Sequence, residues 1–168
     1  MRGGFLLPAL ALGLTANAAA AQVSVRFVEP ERYTDAENRL GSGLSLRVTL
    51  GEIRRIVEGF GRDLPAGRTL TVDILDIDLA GIERPSANVP FGLRVVSDIT
   101  PPRFRLRYVL SEGRRRITAG EEAVTDPNFL LRASRLANGT FAYERDLLRD
   151  WFRRRIVEGR PAAERGPQ

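Results

Sequence analysis

Cysteine, histidine and lysine are absent from this 168-residue chain, so all 26 of its cationic side chains are arginine. Without histidine there is no Ser–His or Cys–His nucleophile pair and no HExxH zinc site, and the side chain that ordinarily titrates near neutrality is missing. Without lysine there is no Schiff base, Ser–Lys dyad or Walker A loop. With neither thiolate nor imidazole, tight zinc, copper or haem ligation lacks its ligands, and a lipid anchor lacks the cysteine to carry it. Carboxylate chemistry, hard-metal binding through oxygen and arginine recognition of anions are what remain. The arginine-only usage is most simply a GC-rich coding bias, and it favours bidentate pairs that lysine cannot make.

Long apolar runs are scarce too. Residues 5–14, interrupted by Pro8, follow the positive Arg2 and precede small residues at 16–21, the pattern of a cleavable secretory signal. The run is shorter than the roughly 20 residues of a membrane span, so no span is expected in the mature chain. Ala16-Asn17-Ala18 and Ala19-Ala20-Ala21 are both A-x-A cleavage sites; the second is preferred and leaves residues 1–21 as the removed signal. The expected location is the periplasm. Loss of Arg2 leaves 25 arginines against 21 acids, a net charge of +4 that permits a polyanionic partner without demanding one. Residues 22–159 suffice for one domain with a real core, since chains near 150 residues bury about 70% of their unfolded surface. Disulfides are therefore not required. Residues 160–168 read as a disordered tail.

Val23, Val25 and Phe27 alternate with Ser24 and Arg26, which predicts a short first strand ending at Glu29-Pro30. Residues 31–42 read as a polar loop. Leu46, Leu50, Ile53, Val57 and Phe60 then recur at steps of four and three, one face of an amphipathic helix. Ser42 or Ser45 suits its cap, and Gly61 is placed for a left-handed C-cap. Gly51 and Gly59 each weaken this helix by up to about 1 kcal/mol relative to alanine, so packing has to hold it. Residues 69–79 are the most β-like stretch. Leu70, Val72 and Ile74 share a face, and the apolar phase then switches to Leu75, Ile77 and Leu79. Either the strand is central and covered on both faces, or a bulge near Ile74-Leu75 resets the register.

Residues 81–102 carry prolines at 85, 90, 101 and 102 and read as a long loop, with a short edge strand over 93–99. Phe104, Leu106, Tyr108 and Leu110 alternate with arginines and turn through Ser111-Glu112-Gly113 into residues 114–124, a hairpin. Asp126-Pro127-Asn128 and Asn138-Gly139 break the chain again. A last helix over about 141–158 sets Leu147, Leu148, Trp151, Phe152 and Ile156 on one face and Arg145, Arg149 and Arg153 on another. Gly159-Arg160-Pro161 stops it. The order β-α-β-(β)-β-β-α predicts a single α+β domain, a mostly antiparallel sheet of four to five strands with two helices on one face.

Asp76 and Asp78, in Asp76-Ile77-Asp78-Leu79-Ala80-Gly81, lie two apart on a strand and project to the same side at its end. Such a pair suits Mg²⁺ or Ca²⁺, or general acid–base work if one pKa is raised. The competing reading is structural. Arg105 and Arg107 are also two apart on a predicted strand, so a cross-strand Asp–Arg ladder follows from the spacing. The ladder is favoured, because buried charges need partners and arginines abound. Asp-x-Asp also lacks the spaced oxygens and glycine of a calcium loop. Asp98 beside Pro101-Pro102 and Asp126 before Pro127 are turn residues first, the latter suited to an Asx turn. Residues 81–102 are long enough to suspect of function. The binding-surface candidates are therefore Asp76, Asp78, Arg84, Asp98, Arg105 and Arg107; no catalytic, cofactor or metal residue is assigned. The last helix, with arginines opposite Trp151 and Phe152, suits a membrane surface or partner, but core packing is favoured, with the final arginines complementing the helix dipole. The triplets at 114–116 and 153–155 are short and lack a surrounding motif, so nucleic acid is not expected.

At these same segments the chain resembles the domain of unknown function 3016 family of small secreted proteobacterial proteins. The resemblance rests on Val25-Arg26-Phe27-Val28-Glu29-Pro30-Glu31-Arg32-Tyr33-Thr34-Asp35 and Leu75-Asp76-Ile77-Asp78-Leu79-Ala80-Gly81. It continues in Arg94-Val95-Val96-Ser97-Asp98 with Pro101-Pro102, and from Tyr143-Glu144 to Asp150-Trp151-Phe152. It spans about 23–157 and implies a secreted single domain, with no activity, cofactor or partner to carry over. The expectation is a non-catalytic binding or accessory protein of the cell envelope, its partner a protein or anionic polymer. The alternative is a carboxylate-dependent hydrolase of envelope glycan using Asp76 and Asp78, with or without Mg²⁺ or Ca²⁺.

Overall fold

The alternating segments pair into one four-stranded sheet in the computed structural model, which describes residues 21–39, 44–84, 92–132 and 139–161. The sheet order is β1 (Gln22–Phe27), β2 (Arg68–Asp78), β5 (Arg103–Glu112), β6 (Arg115–Thr125). The two-residue strands β3 (Ile82–Glu83) and β4 (Arg94–Val95) form a small sheet of their own. β1 runs parallel to β2, and β5 is antiparallel to both its neighbours. A parallel pair needs a crossover, and helix α1 (Leu46–Gly59) supplies it. The chain is α+β, as the element order predicts. The expected signal up to residue 20, residues 85–91 of the long loop and the expected tail from residue 162 lie outside the described residues.

Of the two readings of the central strand, the bulge is the one adopted. Ile74 faces Leu106 and Asp76 faces Arg105, which leaves Leu75 as an extra residue in β2. That residue reverses the pleat. Leu70, Val72 and Ile74 before it, and Ile77 and Leu79 after it, are all buried. Asp73, Asp76 and Asp78 fall on the opposite face, away from the helices. The neighbouring chain follows the irregularity. After β1, the Val28 N–H donates to the Ile74 carbonyl (3.0 Å), and the chain then detours through a 3-10 turn at Pro30–Arg32. It rejoins β2 where the Asp35 N–H donates to the Ile77 carbonyl and the Leu79 N–H to the Asp35 carbonyl, both at 3.0 Å. Tyr33 fills the detour: its hydroxyl donates to the Ile74 carbonyl (2.8 Å) and accepts from the Val28 N–H (3.2 Å). Burial pushes this phenol up to about 12.

After the short helix α2 (Phe129–Arg132), helix α3 (Ala142–Phe152) joins α1 in covering one face of the sheet. Phe60 and Phe152 join them with ring centroids 5.0 Å apart, and Trp151 meets Tyr108 edge-on at 5.5 Å. Trp151 and Phe152 are therefore core residues, as the packing reading holds. A Cβ at Gly120 on β6 would meet the Tyr108 hydroxyl and ring at 3.1–3.2 Å, so a side chain there makes the tyrosine shift. Ser45 caps α1, accepting from the Val48 N–H at 3.4 Å. Two expectations change. Gly61 is not a left-handed cap: α1 tightens into a 3-10 turn over Phe60–Asp63, and the left-handed glycine is Gly67 in the next turn, at φ 79°. The expected edge strand over 93–99 shortens to β4 and leaves the main sheet. Gly81, at φ 75°, turns the chain beneath it, and a Cβ there would sit 2.6 Å from the Val95 carbonyl oxygen.

Leu75 is the extra residue, so deleting it leaves a regular strand in which Ile77 and Leu79 still face the helices and Asp76 and Asp78 the open side. The expected outcome is cooperative urea unfolding with the near-ultraviolet dichroism of Trp151 kept. Deleting Ile77 instead would turn Asp78 toward the helices in place of Leu79 and should abolish both. Truncation at fully buried Ile53 (Ile53→Ala) should cost about 2–5 kcal/mol with cooperativity kept. Loss of cooperative unfolding on deletion of Leu75 would show that the facing of Ile77 and Leu79 depends on more than the residue count.

Candidate functional site

The open face of the sheet carries the expected Asp–Arg pairing, but through a different aspartate. Asp73 accepts from Arg26 Nε at 2.7 Å and from Arg107 Nε and Nη2 at 3.2 and 3.1 Å. Burial alone would push the Asp73 carboxyl up; the hydrogen bonds and charges of Arg26 and Arg107 outweigh it and hold the group below its ordinary range. The bulge sets Asp76 opposite Arg105 and Asp78 opposite Arg103. Among the described residues neither aspartate makes an ion pair with those arginines, so the ladder expected of them is not formed.

Asp76 is instead bound to the returning loop. Its two oxygens accept from the Thr34 N–H and the Thr34 hydroxyl, each at 2.8 Å. Asp78 lies beside Asp35, bridged to it through the backbone. Burial pushes its carboxyl up, the charges of Asp35 and Asp76 push the same way, and Arg94 and Arg103 oppose them. Asp78 lines an open groove of about 420 Å³ with Ile82, Ile99, Thr100 and Arg103. Ile99 is 84% exposed there and Ile82 is 40% exposed. Arg105 and Arg107 share the open face with these acids. Asp98 sits exposed in a turn closed by the Thr100 N–H on the Ser97 carbonyl, and Arg84 follows β3, also exposed; among the described residues neither bonds to the strand-end acids. Asp126 forms its Asx turn, accepting from the Asn128 N–H at 3.0 Å. No group of three or more acidic side chains among the described residues is placed to hold a metal ion.

Two residues outside the sequence candidates organise the other side of this strand end. Arg94, on β4, reaches back to Asp35 with both terminal nitrogens (3.3 and 2.5 Å). It also donates to Asn38 Oδ1 and to the carbonyls of Leu79, Ala80 and Gly81. Glu144, in the first turn of α3, is only 2% exposed. Its Oε1 accepts from the Ala80 N–H at 2.8 Å, and its Oε2 has no partner among the described residues. Burial pushes this carboxyl above its ordinary range, against the opposing pull of the Ala80 and Glu144 N–H groups, Arg94 and Arg145. A cavity of about 220 Å³ opens in front of it. A signal for Glu144 was present, an acid on the same helical stripe as Leu147, Leu148 and Trp151. Nothing local marks Arg94.

The two carboxylates give opposite pH signatures. Asp73 is depressed, so its contribution is present above the ordinary value of 3.8 and lost as pH falls through its native value. Asp73→Asn should cost about 1–3 kcal/mol at neutral pH and little in acid. Glu144 is raised, so its contribution is present below the ordinary 4.5 and lost as pH rises toward its native value. Glu144→Gln should melt above wild type at pH 7 and match it near pH 4. Urea titrations of both variants across this range check the signs.

The family model described as "Protein of unknown function (DUF3016)" matches residues 21–154. No curated protein and no solved structure matches the chain.

Proposed function

Because the chain belongs to the DUF3016 family, whose description carries no activity, the site itself has to support a reading, and we propose a secreted, periplasmic protein that binds another component of the cell envelope without catalysis. The observation that carries this is the groove at the end of β2, where one burial-perturbed carboxyl, Asp78, sits beside exposed Ile82 and Ile99. Exposed apolar side chains beside an acid and Arg103 suit a protein partner. An anionic polymer would meet Asp78 beside the same arginine. The Ala-rich segment before Gln22 supports secretion, and none of the described helices is long and apolar enough to cross a membrane.

A hydrolase acting through Asp76 and Asp78 is the weaker alternative. Glycoside hydrolysis needs two available acids flanking the scissile bond, and both oxygens of Asp76 are held by Thr34. One acid is left.

The test is a photo-crosslinking amino acid placed at position 99 and, as control, at exposed Arg114, in protein exported by its own signal. We expect a discrete envelope adduct from position 99 only, lost on Asp78→Asn, with mature protein beginning near Gln22 by mass spectrometry. Equal adducts from both positions, or none from 99, would end the groove reading. Cytoplasmic, uncleaved protein would end the envelope reading.

A further inference from the structure

The strongest unexplained feature is the buried Glu144 carboxyl, which stands apart from the strand-end groove and does not depend on the reading given for it. A buried oxygen without a partner is costly and rare, and this residue lines a cavity. Leu44, Leu79, Leu93, Val96 and Phe141 make most of the described wall, with Thr140 and Tyr143 as its other uncharged polar side chains beside Asn38. Its 220 Å³ exceeds the share of several water molecules, about 30 Å³ each. An apolar body with one polar head fits such a space.

The charges in the wall narrow the head group. Arg94 lines the cavity, but all five of its N–H groups are engaged by Asp35, Asn38 and three backbone carbonyls, which leaves none to receive an anion. Asn38 is likewise occupied, its Nδ2 donating to the Gly92 carbonyl at 2.8 Å. Among the described lining residues an anion would meet the Glu144 carboxyl and no free cation. A cation would shed its hydration next to Arg94, with Arg145 also acting on the same carboxyl. A neutral group remains.

We propose that the cavity in front of Glu144 is a binding site for a small neutral molecule bearing a primary amide group, with the Glu144 carboxyl as its hydrogen-bonding partner. Oε1 is fixed as an acceptor by the Ala80 N–H, so a proton on the neutral acid sits on Oε2. Oε2–H then donates to the carbonyl of a primary amide, whose syn N–H returns to a remaining carboxyl lone pair; the trans N–H of a secondary amide points away. The upward push of burial on this carboxyl favours the neutral form that the pairing needs.

The experiment is a ¹⁵N–¹H titration of the mature protein with propionamide, beside n-propylammonium and acetate, for wild type, Glu144→Gln and Glu144→Met. Thermal melts confirm that each variant is folded. Glutamine keeps the acceptor for Ala80 and replaces Oε2–H by an N–H donor; methionine keeps the bulk and removes both. The expected result is saturable propionamide shifts at the amides of Leu79, Ala80, Leu93 and Glu144. Affinity should stay within about threefold in Glu144→Gln and fall at least tenfold in Glu144→Met, with weaker or no binding of the two ions. No saturable binding to wild type would overturn the proposal. So would a preference for propylammonium that disappears in Glu144→Gln, or shifts confined to the Ile82–Ile99 groove.

Discussion

One unpaired residue, Leu75, sets the terms on which β2 serves both faces of the sheet. In a strand paired regularly through Leu75, the apolar side chains before and after it would lie on opposite faces. With Leu75 bulged, Ile77 and Leu79 remain beneath the helices and Asp76 and Asp78 reach the open side. The segment between β1 and Asp35 follows from the same irregularity. Its ends are bonded to the carbonyls of Ile74 and Ile77, on either side of the extra residue. Tyr33 takes the Ile74 carbonyl, and Asp76 holds Thr34. The bulge interrupts the ladder toward β5, and on the other edge of β2 the detouring segment keeps the Ile74 and Ile77 carbonyls bonded.

Arginine does three different jobs in this structure, and the differences follow from burial. On the open face, Arg26 and Arg107 are exposed and flank an almost buried Asp73, so the carboxylate is satisfied while both cations keep their water. Under α3, Arg155 donates to both oxygens of Glu122 at 3.0 Å while Trp151 Nε1 donates to Oε1 at 2.9 Å. That links the core tryptophan to β6 through a charge-assisted pair. Arg94 is the third case: only 12% of its side chain is exposed, and it ties β4, the Asp35 loop and the end of β2 together through a planar fork. A lysine could not make that set of bonds. The surface pairs three residues apart, such as Arg32–Glu29 and Arg115–Glu112, contribute little by comparison.

The end of β2 is where these arrangements meet. On one side Asp78 opens onto a groove with exposed isoleucines; on the other the Ala80 N–H holds a buried glutamate. Both carboxyls are pushed upward by burial, yet their surroundings differ in kind. Asp78 sits among other charges, two acids and two arginines. Glu144 has one backbone donor, one unpartnered oxygen and an apolar cavity. The first arrangement suits a broad partner surface and the second a small neutral molecule.

The pattern of residues was enough for the element order, the α+β class, the Ser45 cap option, the hairpin and the Asx turn at Asp126. Each depends on periodicity or on a side chain reaching a few positions along its own chain. The apolar face carrying Trp151 and Phe152 was legible as core for the same reason. What the sequence left open was which of two readings of the phase switch applied, and sequence spacing pointed to the wrong aspartates for the arginine ladder, because one bulged residue changes every cross-strand partner beyond it. Gly61 and residues 93–99 were misread where a 3-10 turn and a glycine crossing replaced the regular continuation. Sequence alone thus determined the local elements, the missing chemistries and the family likeness. Only the tertiary structure decided that Asp73 takes the arginines, that Thr34 occupies Asp76, and that Arg94 and Glu144 meet at the end of β2. Those contacts join residues 34 to 64 positions apart, and their existence depends on how strands and helices stack, which no local pattern encodes.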